Sequence, residues 1–339
     1  MNNLTPPKHI IIVGGGTAGW MTACLMSHQW RNLGIKITLI ESRKIGTVGV
    51  GEGSTPFLKE FFETLNIEES VWMPACNATY KCGIRFPDWA TAHGHTSYFH
   101  PFYSDIDSPA ASVFFNNANT RRKGQNFHSN PDQFFITTAL AESQKAPKYK
   151  TSDHKASTKE SLNYGYHFDA ELLGKFLQKH AKSLGVNHID DRVSKVVLSN
   201  SGNIALVNTE KHGPLRGDFF VDCSGFKGLL IQETLGEELI SFEENLFNNS
   251  AVAIQTPYNT DSTVPSETIS KALKNGWVWH IPLTNRMGNG YVYSNEYCTK
   301  EEAEAELRTL LGEHADNQPA LHLNWTPGRI THHWKQNCL

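Results

Sequence analysis

The chain has 339 residues, enough for two domains or one large elaborated domain. Its 31 basic and 34 acidic side chains give a formal net charge of −3 without a basic run, which argues against a nucleic-acid partner. No apolar stretch approaches the roughly 20 residues of a membrane span, and the N-terminal pattern is not that of a signal peptide. The six cysteines form no CxxC pair, so we expect reduced thiols, a cytoplasmic protein and no metal site.

The first predicted element is a buried strand over Ile10–Val13, followed directly by a glycine loop. Glycines at 14, 16 and 19 suit a tight turn, a close backbone approach to a phosphate and a close contact between helix and strand. Residues 20–26 predict the start of a helix whose N-terminal amides would face a pyrophosphate. This arrangement is typical of a dinucleotide site, and the alternative is a chance glycine turn.

The second predicted strand, residues 36–41, ends in an acid. Glu41 follows Gly19 by 22 residues, the distance at which an acid hydrogen-bonds a ribose hydroxyl. Further along, the pattern predicts helices over 57–65 and 169–177, a strand pair over 191–198 and 203–207, and a strand over 218–222. The last strand ends in Asp-x-Ser-Gly about 200 residues after the glycine loop, so the nucleotide domain is discontinuous. Residues 144–161 are polar and predict an exposed loop or a mobile lid.

Three further segments carry a resemblance to a known family. They are the glycine-rich loop Gly49–Pro56, the segment Asn77–Phe86 around Lys81, and Trp277-Val278-Trp279-His280-Ile281-Pro282, an instance of WxWxIP. With the glycine loop and Asp222–Gly225, these motifs resemble the flavin-dependent halogenases of the tryptophan halogenase type. The resemblance runs from Ile10 to the final residue. Family members continue with a glycine-rich halide loop, a glutamate and a helical region, so the resemblance makes the chain look truncated.

The resemblance implies an α/β fold with a Rossmann-like FAD-binding domain of the flavin monooxygenase type and an interleaved substrate domain. We expect residues 1–56 and 160–235 to bind FAD, and residues 57–159 and 236–339 to form the substrate domain. The residues predicted to contact the cofactor are Gly14, Gly15, Gly16, Thr17, Ala18, Gly19, Glu41, Ser42, Val48, Gly51, Glu52, Val193 and Asp222. Strand packing is the alternative for Val193, a strand-end cap for Asp222 and a turn-stabilising acid for Glu52.

The family likeness also implies a reaction. Reduced FAD and oxygen would oxidise a halide to hypohalous acid, which Lys81 would capture as a haloamine or hold by a hydrogen bond. Trp277 and Trp279 lie two residues apart, so on a strand they face one side and could separate flavin from substrate. His100 and Phe102 could sandwich an indole, although a core aromatic cluster explains them as well.

No second glycine fingerprint for a nicotinamide is visible, so we expect a separate flavin reductase to supply FADH2. The other expected partners are a halide ion and a small aromatic substrate, most simply tryptophan or another indole, and a homodimer is compatible with the sequence. Two alternatives remain open: a flavin monooxygenase of the same fold, and a non-catalytic FAD-binding fragment.

Overall fold

A computed structural model describes residues 6–44, 49–90, 92–148, 162–257 and 263–339. Val48 and most of the predicted loop 144–161 lie outside these ranges. The helices are α1 (Thr17–Gln29), α2 (Phe57–Thr64), α3 (Glu69–Ala75), α4 (Ser108–Arg122), α5 (Ile136–Glu142), α6 (Ala170–Ser183) and α7 (Lys300–Leu311). Among the described residues, no helix is long and apolar enough to cross a bilayer.

The strands of the first half of the chain are β1 (His9–Val13), β2 (Lys36–Glu41), β3 (Glu52–Gly53), β4 (Thr79–Lys81), β5 (Gly83–Pro87), β6 (Ser97–Pro101) and β7 (Gly165–Phe168). Those of the second half are β8 (Asn187–Asp190), β9 (Val193–Leu198), β10 (Ile204–Thr209), β11 (Gly213–Leu215), β12 (Phe219–Asp222), β13 (Leu239–Ser241), β14 (Ser250–Pro257), β15 (Thr268–Leu273), β16 (Gly276–Pro282), β17 (Arg286–Tyr293), β18 (Ala320–Asn324) and β19 (Gly328–Ile330).

These elements form two compact units. Unit 1 comprises the described parts of residues 1–49, 170–247 and 325–339, and unit 2 those of residues 50–169 and 248–324. The sequence predicts an FAD-binding domain over 1–56 and 160–235, whereas the observed units divide the chain at other residues. The largest difference is segment 325–339, which belongs to unit 1 because its backbone pairs with β12 and β13.

The core of unit 1 is a parallel four-stranded sheet in the order β12-β1-β2-β8. Residues 10–12 are at most 1% exposed, as expected for a parallel strand covered on both faces. The predicted strands over 10–13, 36–41 and 218–222 are confirmed, and so is the pairing of β9 with β10. The helix predicted from Asp169 begins one residue later, and α1 begins at Thr17.

Unit 2 contains a seven-stranded sheet in the order β18-β14-β17-β16-β15-β5-β6. Helix α7 packs on one face of this sheet, where Val278, Tyr291 and Leu307 are fully buried. Because strand side chains alternate, Val278 points toward α7, and Trp277 and Trp279 occupy the opposite face of β16.

The same unit holds a three-stranded antiparallel sheet in the order β3-β7-β4. Helix α3 supplies Glu69, whose carboxylate accepts hydrogen bonds from three tyrosines on these segments. Tyr164 and Tyr166 donate to Oε1 at 2.6 and 2.7 Å, and Tyr80 donates to Oε2 at 3.0 Å. Lys148 Nζ lies 2.8 Å from Oε2. Burial alone would raise the pKa of Glu69, but the bonds from Lys148 and the tyrosines lower it below its ordinary value.

We expect Glu69→Ala to lower the free energy of unfolding by about 3 kcal/mol, because three phenols and an ammonium lose their common acceptor. Urea denaturation at pH 7 measures the change. Glu68→Ala removes a neighbouring exposed acid and serves as the control, with an expected effect within about 0.5 kcal/mol. Equal denaturation midpoints for the two variants would show that the Glu69 cluster does not stabilise the fold.

Candidate active site

The glycine loop in unit 1 is shaped so that only glycine fits at three of its positions. A methyl group at Gly14 would overlap the Cys223 carbonyl, one at Gly15 the Glu41 carboxylate, and one at Gly19 the Gly14 carbonyl. Gly14 also has a φ of +112°, a conformation that favours glycine. Gly16, by contrast, faces open space, with nothing within 4 Å of the position of a Cβ.

Gly16 is also the N-cap of α1, and no side chain caps this helix end. The first amides of the helix, at Thr17 and Ala18, therefore border the open space and can bind an anion. Together with the tight turn at Gly14, this cradle fits the pyrophosphate of a dinucleotide.

Glu41 ends β2 beside this loop, and its carboxylate is held by unit 1 itself. Oε1 accepts a hydrogen bond from Gln178 at 2.7 Å and lies 2.9 Å from His188 Nε2, while Trp20 Nε1 donates to Oε2 at 3.3 Å. Next to it, Ser42 lines a cavity of about 450 Å³ at the carboxyl ends of β2 and β8. In doubly wound sheets, ligands bind at this edge.

The other two candidates in unit 1 have structural contacts. Val193 is half-buried and packs against the core cluster that contains Ile11 and Phe220. Asp222 accepts bonds from the Ser224 amide and hydroxyl with one oxygen, and from the Leu230 and Ile231 amides with the other. It therefore caps the turn after β12, and any influence on a nucleotide passes through that turn.

In unit 2, the Lys81 side chain is 5% exposed at the end of β4. Burial lowers the pKa of its amine to about 8, and no carboxylate among the described residues offsets that burial. Its Nζ lies 5.6 Å from the centre of the Phe102 ring. Phe102 is held there because its amide donates to the Cys82 carbonyl at 3.2 Å.

The second glycine-rich loop is fixed by a residue that the sequence did not single out. Arg286 donates to the Val50 carbonyl at 3.2 Å and pairs with Asp169 at 2.9 Å. Gly51 has a φ of +103° and lies against Gly288. Burial raises the pKa of the Glu52 carboxyl, partly offset by the Val50 amide and the Arg286 charge.

The remaining predicted residues differ in their surroundings. Trp277 and Trp279 contact each other, with ring centres 6.1 Å apart, and the Trp279 ring covers Gly290 on β17. The spacing of two residues thus produces one continuous aromatic face, as predicted. His100 lies opposite Ile84 in the pairing of β6 with β5, its side chain is exposed, and its carbonyl packs against Gly83.

Sequence reasoning missed His167 on β7, which is fully buried beside Lys81. Burial first, and the Lys81 charge second, lower the pKa of its imidazole well below the ordinary value. The sequence signal was the alternation of side chains along the strand over residues 164–168. His167 points away from Tyr164 and Tyr166, and therefore toward the side of β4 that carries Lys81.

Comparison with known proteins identifies a family. The family described as tryptophan halogenase matches residues 9–339. Tryptophan 6-halogenase SttH of Streptomyces toxytricini is 39% identical, with 100% of this chain and 67% of that protein aligned. 7-Chloro-L-tryptophan 6-halogenase KtzR of Kutzneria sp. (strain 744) is 38% identical, with 97% and 66% covered.

Solved structures give the same result. The crystal structure of SttH superposes with a TM-score of 0.86, covering 99% of this chain and 67% of SttH. Tar14, a flavin-dependent tryptophan C-6 halogenase (chlorinase) from taromycin biosynthesis, superposes with a TM-score of 0.85 at 39% identity, covering 98% of this chain and 66% of Tar14. The chain thus spans about two thirds of the length of these relatives. An α/β fold, a Rossmann-like parallel sheet and full-length similarity place this chain in the tryptophan halogenase family, whose members depend on flavin.

Proposed function

We propose that this chain halogenates an electron-rich aromatic ring, tryptophan or another indole, with reduced FAD, oxygen and a halide as co-reactants. The observation that carries the proposal is the buried amine of Lys81, which has no counter-charge among the described residues and faces an aromatic ring. Burying an unpaired ammonium costs free energy of folding, and lysines whose pKa is shifted in this way cluster at functional sites.

The choice of FAD is supported by the glycine loop and the α1 amides, which suit a pyrophosphate, and Glu41 at the end of β2 would accept a hydrogen bond from a ribose hydroxyl. When bound in reduced form, the flavin supplies the means to oxidise a halide to hypohalous acid with oxygen. A separate flavin reductase would provide the reduced cofactor.

Lys81 would transfer the halogen in two balanced steps. The amine nitrogen attacks the halogen of hypohalous acid, so that an N–X bond forms, the O–X bond breaks, and hydroxide leaves with an amine proton as water. The aromatic carbon then attacks the halogen, the N–X bond breaks, and the ring loses a proton as the amine is restored. A compact nitrogen with a lowered pKa suits this role better than a guanidinium.

The substrate would lie against Phe102, whose ring already contacts the amine. We propose His100 as its partner across the indole, since an exposed imidazole is free to stack. Trp277 and Trp279 are proposed to keep the substrate away from direct oxygenation.

Lys81→Met should abolish halogenation and also stabilise the fold. Product is measured by mass spectrometry, with FAD, a flavin reductase, NADH, chloride or bromide, and a panel of indoles. Because the Lys81 pKa is depressed to about 8 in the folded protein, protonation of the amine lowers the stability of the native state below that pH. The variant should therefore gain up to about 3 kcal/mol in unfolding free energy at pH 7. This gain should disappear as the pH rises toward 10.5, the ordinary pKa of lysine.

Lys59→Met is the matched control for that variant, since Lys59 is a partly buried lysine that also lies over an aromatic ring. It should keep full turnover. An oxygenated product would instead support a monooxygenase, and saturable FAD binding without any product would support a non-catalytic FAD-binding protein.

The pH dependence separates the two roles of Lys81. A nucleophile needs the free amine, so the rate of the halogen-transfer step should rise with pH around a midpoint near 8. The ammonium is the stronger hydrogen-bond donor, so for a donor role the rate would fall through the same range. Single-turnover measurements with added hypohalous acid, from pH 6.5 to 9.5, isolate this step from flavin reduction.

Gly16→Ala should weaken FAD binding without unfolding the protein. The methyl group meets no protein atom within 4 Å, but it enters the space where a pyrophosphate would lie. We expect an increase in Kd of at least about tenfold, measured by fluorescence titration. Gly174→Ala in α6 is the control, because its Cβ also meets nothing. Equal affinities for both variants would contradict the assignment of the cradle.

A further inference from the structure

Beside Lys81, a chain of hydrogen bonds runs through the buried imidazole of His167. Its Nδ1 lies 3.0 Å from Thr79 Oγ1, and its Nε2 lies 2.8 Å from Thr268 Oγ1. Thr79 Oγ1 also donates to the Pro282 carbonyl at 2.7 Å. The chain therefore joins β7 and β4 to β15 and to the last residue of the WxWxIP motif.

The directions of these bonds follow from the number of protons. The single hydroxyl proton of Thr79 goes to the Pro282 carbonyl, so Thr79 must accept from His167 Nδ1–H. His167 is neutral, because burial lowers its pKa well below the ordinary value, so Nε2 carries a lone pair. Thr268 must then donate its own proton to Nε2. All three protons point the same way, and among the described residues no donor takes the lone pairs of Thr268 Oγ1.

Thr268 Oγ1 and Lys81 Nζ border the same small space beside Gly53. A methyl group at Gly53 would lie 3.1 Å from Lys81 Nζ, 3.4 Å from Thr268 Oγ1 and 3.6 Å from His167 Cδ2. The absence of a side chain at Gly53 thus leaves one small space on which the amine and the hydroxyl oxygen converge. His167 is the titratable group that faces Lys81 there, and it is neutral.

We propose that Thr268 and His167 are positioning residues for Lys81. The chain of hydrogen bonds, with all its protons in one direction, fixes Thr268 as an acceptor. Thr268 then accepts an N–H of the Lys81 amine, and the lone pair of the amine nitrogen turns toward the oxidant. This inference rests on the proposed function for its purpose. Donating groups in a chain also strengthen one another, so Thr268 is a better acceptor than an isolated hydroxyl.

The test measures the titration of Lys81 without turnover. Competitive labelling with acetic anhydride between pH 6 and 11, followed by peptide mass spectrometry, gives the pKa of each lysine, with exposed Lys175 as internal reference. An acceptor favours the ammonium. Thr268→Val should therefore lower the pKa of Lys81 by about one and raise its labelling at pH 7 several-fold. Thr268→Ser should restore the wild-type value.

Thr79→Val tests the chain itself. It removes the acceptor of His167 Nδ1–H, so the imidazole changes tautomer and Nε2–H donates to Thr268, whose own proton then turns toward the amine. The Lys81 pKa should fall although Thr79 carries no charge. Thr256→Val is the control, because Thr256 is a buried threonine that accepts a bond from Asn289.

An unchanged Lys81 titration in Thr268→Val, or a shift that Thr268→Ser does not reverse, would overturn the proposal. A shift in both Thr268→Val and Thr79→Val, with none in Thr256→Val, supports it. Circular dichroism confirms that each variant is folded. Because the labelling needs no turnover, it decides the positioning role separately from whether the chain halogenates.

Discussion

The burial of the Lys81 amine is the constraint that the rest of the structure around β4 and β7 has to satisfy. A lysine that is 5% exposed, with no paired carboxylate in the described part of the chain, disfavours its own charged state, and the surrounding strand must be held firmly to keep it there. Two sets of bonds on opposite faces of β4 and β7 do this. On one face, the Glu69 carboxylate accepts hydrogen bonds from three tyrosine hydroxyls. On the other face, the hydrogen bonds of His167 link the strands. Lys81, the proposed reactive group, thus lies on a rigid element.

Unit 1 has the opposite electrostatic feature, a helix N-terminus that favours negative charge. Its parallel sheet places an uncapped helix end at the glycine loop, where partial positive charge is exposed. The Glu41 carboxylate beside this loop is restrained by Gln178 and His188. Under the proposed function, a phosphate would approach the α1 amides and Glu41 would accept a bond from a hydroxyl.

The sequence was sufficient where the signal was local. The run Ile10–Val13 with its glycines predicted strand, turn and helix, and a spacing of two predicted the shared face of Trp277 and Trp279. It was insufficient where contacts depend on the register of distant strands. His167 meets partners 88 and 101 residues away, and no periodic pattern marks such pairs. Likewise, the Glu69 cluster forms only once α3, β4 and β7 are assembled.

The pairing of residues 337–339 with β12 has a consequence for how the chain folds. Phe220 donates its amide to the Asn337 carbonyl and accepts from the Leu339 amide, so this segment covers the outer edge of the parallel sheet. During synthesis, β1 and β2 emerge early, yet the β12 side of their sheet cannot be covered until more than 300 residues have been made. Such high contact order slows folding and exposes a strand edge to other chains. Ribosome-bound intermediates of this protein should therefore depend on chaperones, and slow synthesis at low temperature should favour its recovery.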